Sequence, residues 1–141
     1  MHSSEFYPVN YTIYRRDRGT DDHGGVVIAT MNNLTTIEVH NSKTVELISV
    51  KTDLPNKKTL IVSSFYRPPK TDEVYIQNYI KEISELKTRY DKAIFCVGGD
   101  FNLPDIDWKT GLLNGNNYPH KTSEEIIKSG GGYVYGTSCR M

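Results

Sequence analysis

Residues 60–104, LIVSSFYRPPKTDEVYIQNYIKEISELKTRYDKAIFCVGGDFNLP, decide the fold of this chain. Residues 60–66 are β-branched or aromatic on both alternating faces, which is typical of a strand covered on both sides. Residues 92–97 form a second, short apolar strand. Between the two runs, apolar side chains recur every three or four residues and predict a helix capped by Thr71 or Asp72. The members of that apolar set are Ile76, Tyr79, Ile80, Ile83, Leu86 and Tyr90. Strand, helix and strand in this order predict a right-handed parallel crossover.

The sequence before residue 60 predicts antiparallel strands. Residues 11–16 alternate in character and are followed, after a charged segment rich in glycine, by the apolar run 26–29, which together indicate a hairpin with a long loop. The runs 45–51 and 58–66 are separated by DLPN, whose Pro and Asn suit a turn. We therefore expect these two runs to be neighbouring antiparallel strands in a sheet that also contains the parallel pair.

Length and composition exclude several classes of protein for this chain. A length of 141 residues suits one domain. Seventeen basic residues offset seventeen acidic ones, so any face that binds nucleic acid must be local. The two cysteines, Cys96 and Cys139, have no zinc-ligand spacing, and we expect neither a disulfide framework nor a disulfide-linked partner. No apolar run is long enough to span a membrane, so we expect an intracellular protein that is not secreted and has no membrane partner.

The sharpest chemical signal is VGGDFNLP at residues 97–104, which places Asp100 and Asn102 at the carboxyl end of a buried strand. Open α/β folds bind their ligands at such ends. Asp100 can bind a hard divalent cation or take a proton from water, and Asn102 can donate to a phosphoryl oxygen without adding negative charge. Gly98 and Gly99 allow close approach of backbone or substrate. The alternative is an Asx turn that merely ends the strand.

A second signal, SFYRPP at residues 64–69, leaves the neighbouring strand at the same predicted edge. The phenol of Tyr66 and the guanidinium of Arg67 can both contact phosphate there. In the ordinary structural interpretation, Tyr66 packs at a strand end and Arg67 pairs with a surface acid. We expect Tyr66, Asp100 and Asn102 to surround one shallow polar cleft.

Together these segments resemble the endonuclease/exonuclease/phosphatase superfamily, and most closely the endonuclease domain of non-LTR retrotransposons. The matching motifs are YRPP at residues 66–69 and GDFNLPDIDW at residues 99–108. The segments YTIYRRDR at 11–18 and HGGVVIA at 23–29 resemble the hairpin of that domain. The resemblance extends over residues 7–128 as a partial domain, and residues 129–141 are expected to be an unrelated flexible tail.

The resemblance implies an α/β (α+β) fold, a four-layer sandwich of two packed mixed β-sheets flanked by helices. It also implies a nuclear hydrolase that cuts a DNA phosphodiester with Mg²⁺, or Mn²⁺, and an activated water. Asp100 would orient or deprotonate that water and bind the metal, Asn102 would hold the phosphate, and Tyr66 and Arg67 would contact it. Asp105 and Asp107 would be turn residues close to the site, and Trp108 would pack.

Two parts of the pattern have no counterpart in this sequence. The early metal-binding Glu is missing, because Glu5 lies too close to the hairpin, and so is the late Ser-Asp-His motif, because His120 belongs to a different stretch. His2, His23 and His40 are interpreted as surface or loop residues. We therefore expect a fold incomplete at both ends, a tendency to aggregate, and no turnover by this chain alone.

Two alternatives to this function remain open. One is a phosphatase-branch phosphoesterase that acts on a small phosphorylated molecule, and the other is a non-catalytic remnant.

Residues 122–128 predict a weaker helix, GGG at 130–132 breaks regular structure, and the residues after it are expected to be a loose tail.

Overall fold

The computed structural model describes residues 10–18, 24–69, 71–103, 106–107, 109–110, 112–113 and 133–136. Its elements in chain order are β1 (Tyr11–Asp17), β2 (Gly25–Met31), β3 (Thr36–Asn41), β4 (Glu46–Asp53), β5 (Thr59–Tyr66), α1 (Glu73–Arg89), β6 (Ile94–Asp100), β7 (Ile106–Asp107), β8 (Leu112–Leu113) and β9 (Tyr133–Gly136). The hairpin, the antiparallel pair and the strand–helix–strand unit all form where the sequence predicts them.

A five-stranded mixed sheet organises the molecule. Its strand order is β3-β4-β5-β6-β9, which places β5 at the centre, as expected for a strand that is apolar on both faces. Strands β3, β4 and β5 are antiparallel neighbours, whereas β5, β6 and β9 are parallel. The carboxyl ends of β5 and β6 therefore lie side by side at one edge of the sheet.

Helix α1 covers one face of this sheet. The side chain of Asp72 caps the helix by accepting the Tyr75 backbone N–H at 3.2 Å, which satisfies an otherwise unpaired donor of the first turn. Tyr79 packs on Phe65 of β5 with 4.2 Å between the ring centroids. The buried helix residues are Ile76, Tyr79, Ile83 and Leu86, which is the face the periodicity predicts. Each fully buried side chain of this size stabilises the fold by about 1.5–3 kcal/mol.

The β1–β2 hairpin covers the opposite face. Val26 and Ile28 of β2 pack against Ile48 and Val50 of β4 in a second apolar cluster. Leu47, which alternates with these two residues of β4, belongs instead to the cluster under α1. Strand β4 is therefore buried on both faces, and the hairpin, the sheet and the helix form successive layers.

The predicted fold class is confirmed: the chain is a mixed α/β protein in which a smaller sheet packs on a larger one and a helix covers the far side. The described residues account for three of the four predicted layers. The predicted helix at 122–128 lies outside the described residues.

Four strands differ from the sequence-based expectation: β3 and the two-residue strands β7 and β8 are not predicted, and β9 falls in the predicted tail. Strand β3, TIEVHN, is not among the predicted strands, since its polar residues weaken the alternation that marks a strand. The sequence predicts a loose tail over residues 129–141, but Tyr133–Gly136 form β9, which pairs in parallel with β6. The reason is that the side of β6 facing away from β5 offers unpaired backbone groups that a further strand can satisfy.

None of the helices among the described residues is long and apolar enough to cross a membrane. Within the same residues, Cys96 is a free thiol, and Cys139 lies outside them.

Candidate functional site

The two motifs singled out from the sequence meet at the carboxyl edge formed by β5 and β6. Tyr66 and Asp100 are the last residues of their strands and are register partners in the parallel pair. Register partners direct their side chains to the same face of a sheet. For Tyr66 that is the hairpin face, where it packs against the second apolar cluster. A phenol and a carboxylate are thus adjacent at one strand end.

Asn102 joins this edge through a tight turn. One oxygen of the Asp100 carboxylate, Oδ1, accepts the backbone N–H of Asn102 at 2.9 Å. This is the Asx turn of the ordinary interpretation of the motif. Asn102 has a φ of 49°, in the left-handed region that Asn tolerates better than most residues. The turn brings the amide of Asn102 back toward the end of β5.

Arg67 is held by the same turn and is buried, at 5% exposure. Its backbone N–H donates to the Asp100 carbonyl at 2.8 Å, and its Nη1 donates to the Asn102 carbonyl at 3.3 Å. In return, Nδ2 of Asn102 donates to the Arg67 carbonyl. The alternative interpretation placed Arg67 at the surface, whereas its side chain is buried. Arg67 instead joins the ends of the two strands.

The structure therefore brings together all four residues predicted for the site, namely Tyr66, Arg67, Asp100 and Asn102. The chemical roles assigned to them stay predictions. Of the residues expected to lie nearby, Asp105 and Trp108 are outside the described residues. Asp107 ends β7, and its Oδ1 accepts the backbone N–H groups of Lys109 and Thr110 at 2.9 and 3.3 Å, as expected of a turn residue. Those two hydrogen bonds lower its pKa.

Sequence analysis missed a charged pair beside Tyr66. Glu46 opens β4, pairs in register with Tyr66 and is buried. Both its carboxylate oxygens accept from Arg18, at 2.8 Å from Nε and 3.1 Å from Nη2. The Arg18 guanidinium carbon lies 5.2 Å from the centroid of the Tyr66 ring. The Glu46 hydrogen bond, with a smaller contribution from Tyr66, raises the pKa of Arg18 and keeps it charged.

Tyr75, on α1, links β4 and β5 near Glu46 and Tyr66. Its hydroxyl donates to the Tyr66 carbonyl at 2.8 Å and accepts the backbone N–H of Glu46 at 2.8 Å. Burial raises the pKa of Tyr75, so the phenol stays protonated and keeps its donor. The Glu46–Tyr66 register could have been predicted from the turn at residues 53–59, whereas the approach of Arg18 depends on how the hairpin docks.

The described residues supply only part of the metal site predicted for this edge. Among the described residues, no three His, Cys, Asp or Glu side chains converge to hold a metal ion. Asp100 supplies one carboxylate, and Glu46 is engaged by Arg18. A complete Mg²⁺ site is therefore not formed by the part of the chain that the structure describes.

His40, interpreted from the sequence as a surface or loop histidine, is a half-buried residue near the end of β3. Its Nε2 lies 2.6 Å from Oε1 of Glu82 on α1. The other oxygen of Glu82 accepts from the hydroxyls of Ser42 and Thr44, each at 2.9 Å. This cluster fastens the helix to the β3–β4 connection and has no evident link to the predicted chemistry.

Comparison of the chain with protein-family models, with curated proteins and with solved structures gives no match. The proposed function therefore rests on the residues at the carboxyl edge.

Proposed function

We propose that this chain carries the phosphate-contacting part of a metal-dependent DNA endonuclease, a phosphodiesterase that hydrolyses its substrate with an activated water. The observation that carries the proposal is the pairing of Tyr66 with Asp100 at one strand end, with Asn102 folded back beside them. The resemblance of these segments to retrotransposon endonucleases supports DNA as the substrate and the nucleus as the place of action.

Each of the three side chains has a role that suits phosphodiester hydrolysis. The Tyr66 hydroxyl can donate to a non-bridging phosphate oxygen, where negative charge must be stabilised. The Asn102 amide has two N–H donors, and its bond to the Arg67 carbonyl uses one, so the other can hold the phosphate. The Asp100 carboxylate has a second oxygen besides the one in the Asx turn, and that oxygen can orient or deprotonate the attacking water.

Arg67 contributes positive charge from behind this surface. Its guanidinium is buried and bonded to the Asn102 carbonyl, so it both places Asn102 and raises the local electrostatic potential. An anion bound at this edge is stabilised by that charge even without direct contact. In the proposed enzyme, Mg²⁺ or Mn²⁺ would add charge stabilisation at the phosphate, with Asp100 among its ligands.

The proposal is tested by the affinity of the chain for a short fluorescent DNA duplex, measured by fluorescence anisotropy at low salt. Tyr66→Phe removes one donor and keeps the ring, and Asn102→Asp replaces a donor by a negative charge. We expect Tyr66→Phe to weaken binding by about ten- to a hundredfold, the cost of one charge-assisted hydrogen bond, and Asn102→Asp to weaken it further. Binding should also fall steeply as salt is raised.

The matched control is Tyr11→Phe, which removes the same hydroxyl from an exposed residue of β1. Equal affinities for wild type and Tyr66→Phe would contradict the proposal, as would an equal loss in Tyr11→Phe. Competition by inorganic phosphate as effective as that by unlabelled duplex would overturn the DNA assignment in favour of a small phosphorylated substrate.

A further inference from the structure

A partly buried ion pair lies against the ring of Tyr66, and neither of its members belongs to the predicted site. Glu46 is the buried member, and Arg18 grips it with two parallel hydrogen bonds, 2.8 and 3.1 Å long. A fork of this kind fixes the orientation of the guanidinium plane as well as its position. The fork therefore gives the guanidinium a defined place, although the Arg18 side chain is 38% exposed.

The Arg18 guanidinium lies over the ring of Tyr66. Its central carbon is 5.2 Å from the ring centroid, within the range of a cation–π interaction. Gly24 leaves the room for it, since a Cβ at Gly24 would lie 2.6 Å from that same carbon. The backbone of Tyr66 is held separately, by the hydroxyl of Tyr75. Ring and backbone of Tyr66 thus have independent supports.

We propose that Arg18 is a positioning residue for the Tyr66 phenol and that Glu46 holds Arg18 in that place. This rests on the proposed function, in which the Tyr66 hydroxyl donates to a phosphate oxygen. A donor contributes to recognition only when it is held in the binding geometry. The bidentate pair restricts the ring to one orientation, so less conformational entropy is lost when the phosphate binds.

The carboxylate of Glu46 also affects how Arg18 can act on Tyr66. Because the buried Glu46 carboxylate accepts two hydrogen bonds from Arg18, much of the Arg18 charge is compensated locally. Arg18 is therefore suited to orient Tyr66 rather than to capture phosphate by charge alone. Substitution of Glu46 should consequently act in the same direction as substitution of Arg18, although it removes a negative charge from a site for an anion.

The test combines a spectroscopic signal of Tyr66 with duplex affinity. Protein labelled with 3-fluorotyrosine gives one ¹⁹F resonance for position 66, assigned by its loss in Tyr66→Phe. Arg18→Met removes the cation and keeps an unbranched side chain. We expect the resonance to move and broaden in Arg18→Met and, to a smaller extent, in Glu46→Gln. Arg15→Met is the control, because Arg15 is paired with Asp17 on the same strand.

Duplex affinity supplies a double-mutant cycle. We expect Arg18→Met to weaken binding by about two- to fivefold, the size of a cation–π contribution. Combined with Tyr66→Phe it should cost little more than Tyr66→Phe alone, because Arg18 acts through the Tyr66 hydroxyl and Tyr66→Phe has already removed that hydroxyl. Arg18→Lys, which keeps the charge without the planar fork, should recover only part of the loss.

An unchanged Tyr66 resonance in a folded Arg18→Met protein would overturn the positioning role, as would losses that simply add. If wild type fails to bind duplex, the proposed function fails, and the fluorine resonance alone decides whether Arg18 and Glu46 hold the ring. For a variant that does not fold, judged by circular dichroism, Arg18→Lys provides the same comparison.

Discussion

Gly99 of β6 lies so close to Phe65 of β5 that a Cβ at Gly99 would be 1.7 Å from the Phe65 carbonyl oxygen. Gly99 also has a φ of 143°, which L side chains rarely adopt. The residues before Tyr66 and Asp100 can pair in this way only because one of them is glycine. Gly99 thus serves the approach of the two strands, and through it the position of the candidate site.

Gly99→Ala should accordingly destabilise the protein by about 3 kcal/mol or more, because steric overlap and backbone strain add. The measurement is the free energy of unfolding from denaturant titration. Thr88→Ala, on the exposed face of α1, is the control and should stay within about 0.5 kcal/mol of wild type. A Gly99→Ala protein as stable as that control would show that the strands do not approach as described.

Glu82 should matter to stability more than its place on a largely polar helix suggests. Its carboxylate takes hydrogen bonds from Ser42 and Thr44 and faces His40. Glu82→Gln removes the charge and puts N–H donors where an acceptor is needed, so we expect a loss of about 1–3 kcal/mol. Glu85→Gln makes the same chemical change at an exposed position of α1. Equal unfolding free energies for the two variants would contradict the role given to Glu82.

Cys96 should react slowly with thiol reagents. Burial raises the pKa of its thiol, so a smaller share is thiolate at neutral pH, and the thiolate is the reactive form. In a Cys139→Ser background, modification by a disulfide reagent at pH 7.5 should be slower than that of glutathione by about tenfold or more. Addition of urea to the unfolding range should abolish the difference. A native thiol that reacts as fast as glutathione would place Cys96 at the surface.

The parts of the fold that depend on local pattern could be predicted from the sequence. The periodicity of α1 and the apolar runs around it predict the parallel crossover, and with it the meeting of Tyr66 and Asp100 at one edge. The pairing of Arg18 with Glu46 could not be predicted, because it joins residues 28 positions apart and requires the hairpin to dock on the sheet. Strand β9 was missed for a related reason. Strand β9 has only four residues and is flanked by glycine, so it is recognisable as a strand only through its pairing with β6.

The most direct test of the proposed phosphodiester site is a titration of ¹⁵N-labelled protein with a short DNA duplex, followed by two-dimensional ¹H–¹⁵N NMR. We predict that the backbone amides of Tyr66, Arg67, Asp100 and Asn102 shift together and that the shifts diminish with added salt. The amides of Val27 and Met31, which are exposed on the hairpin, should stay in place. Shifts confined to the hairpin, or no shift at the carboxyl edge of a folded protein, would contradict a phosphate-binding site there.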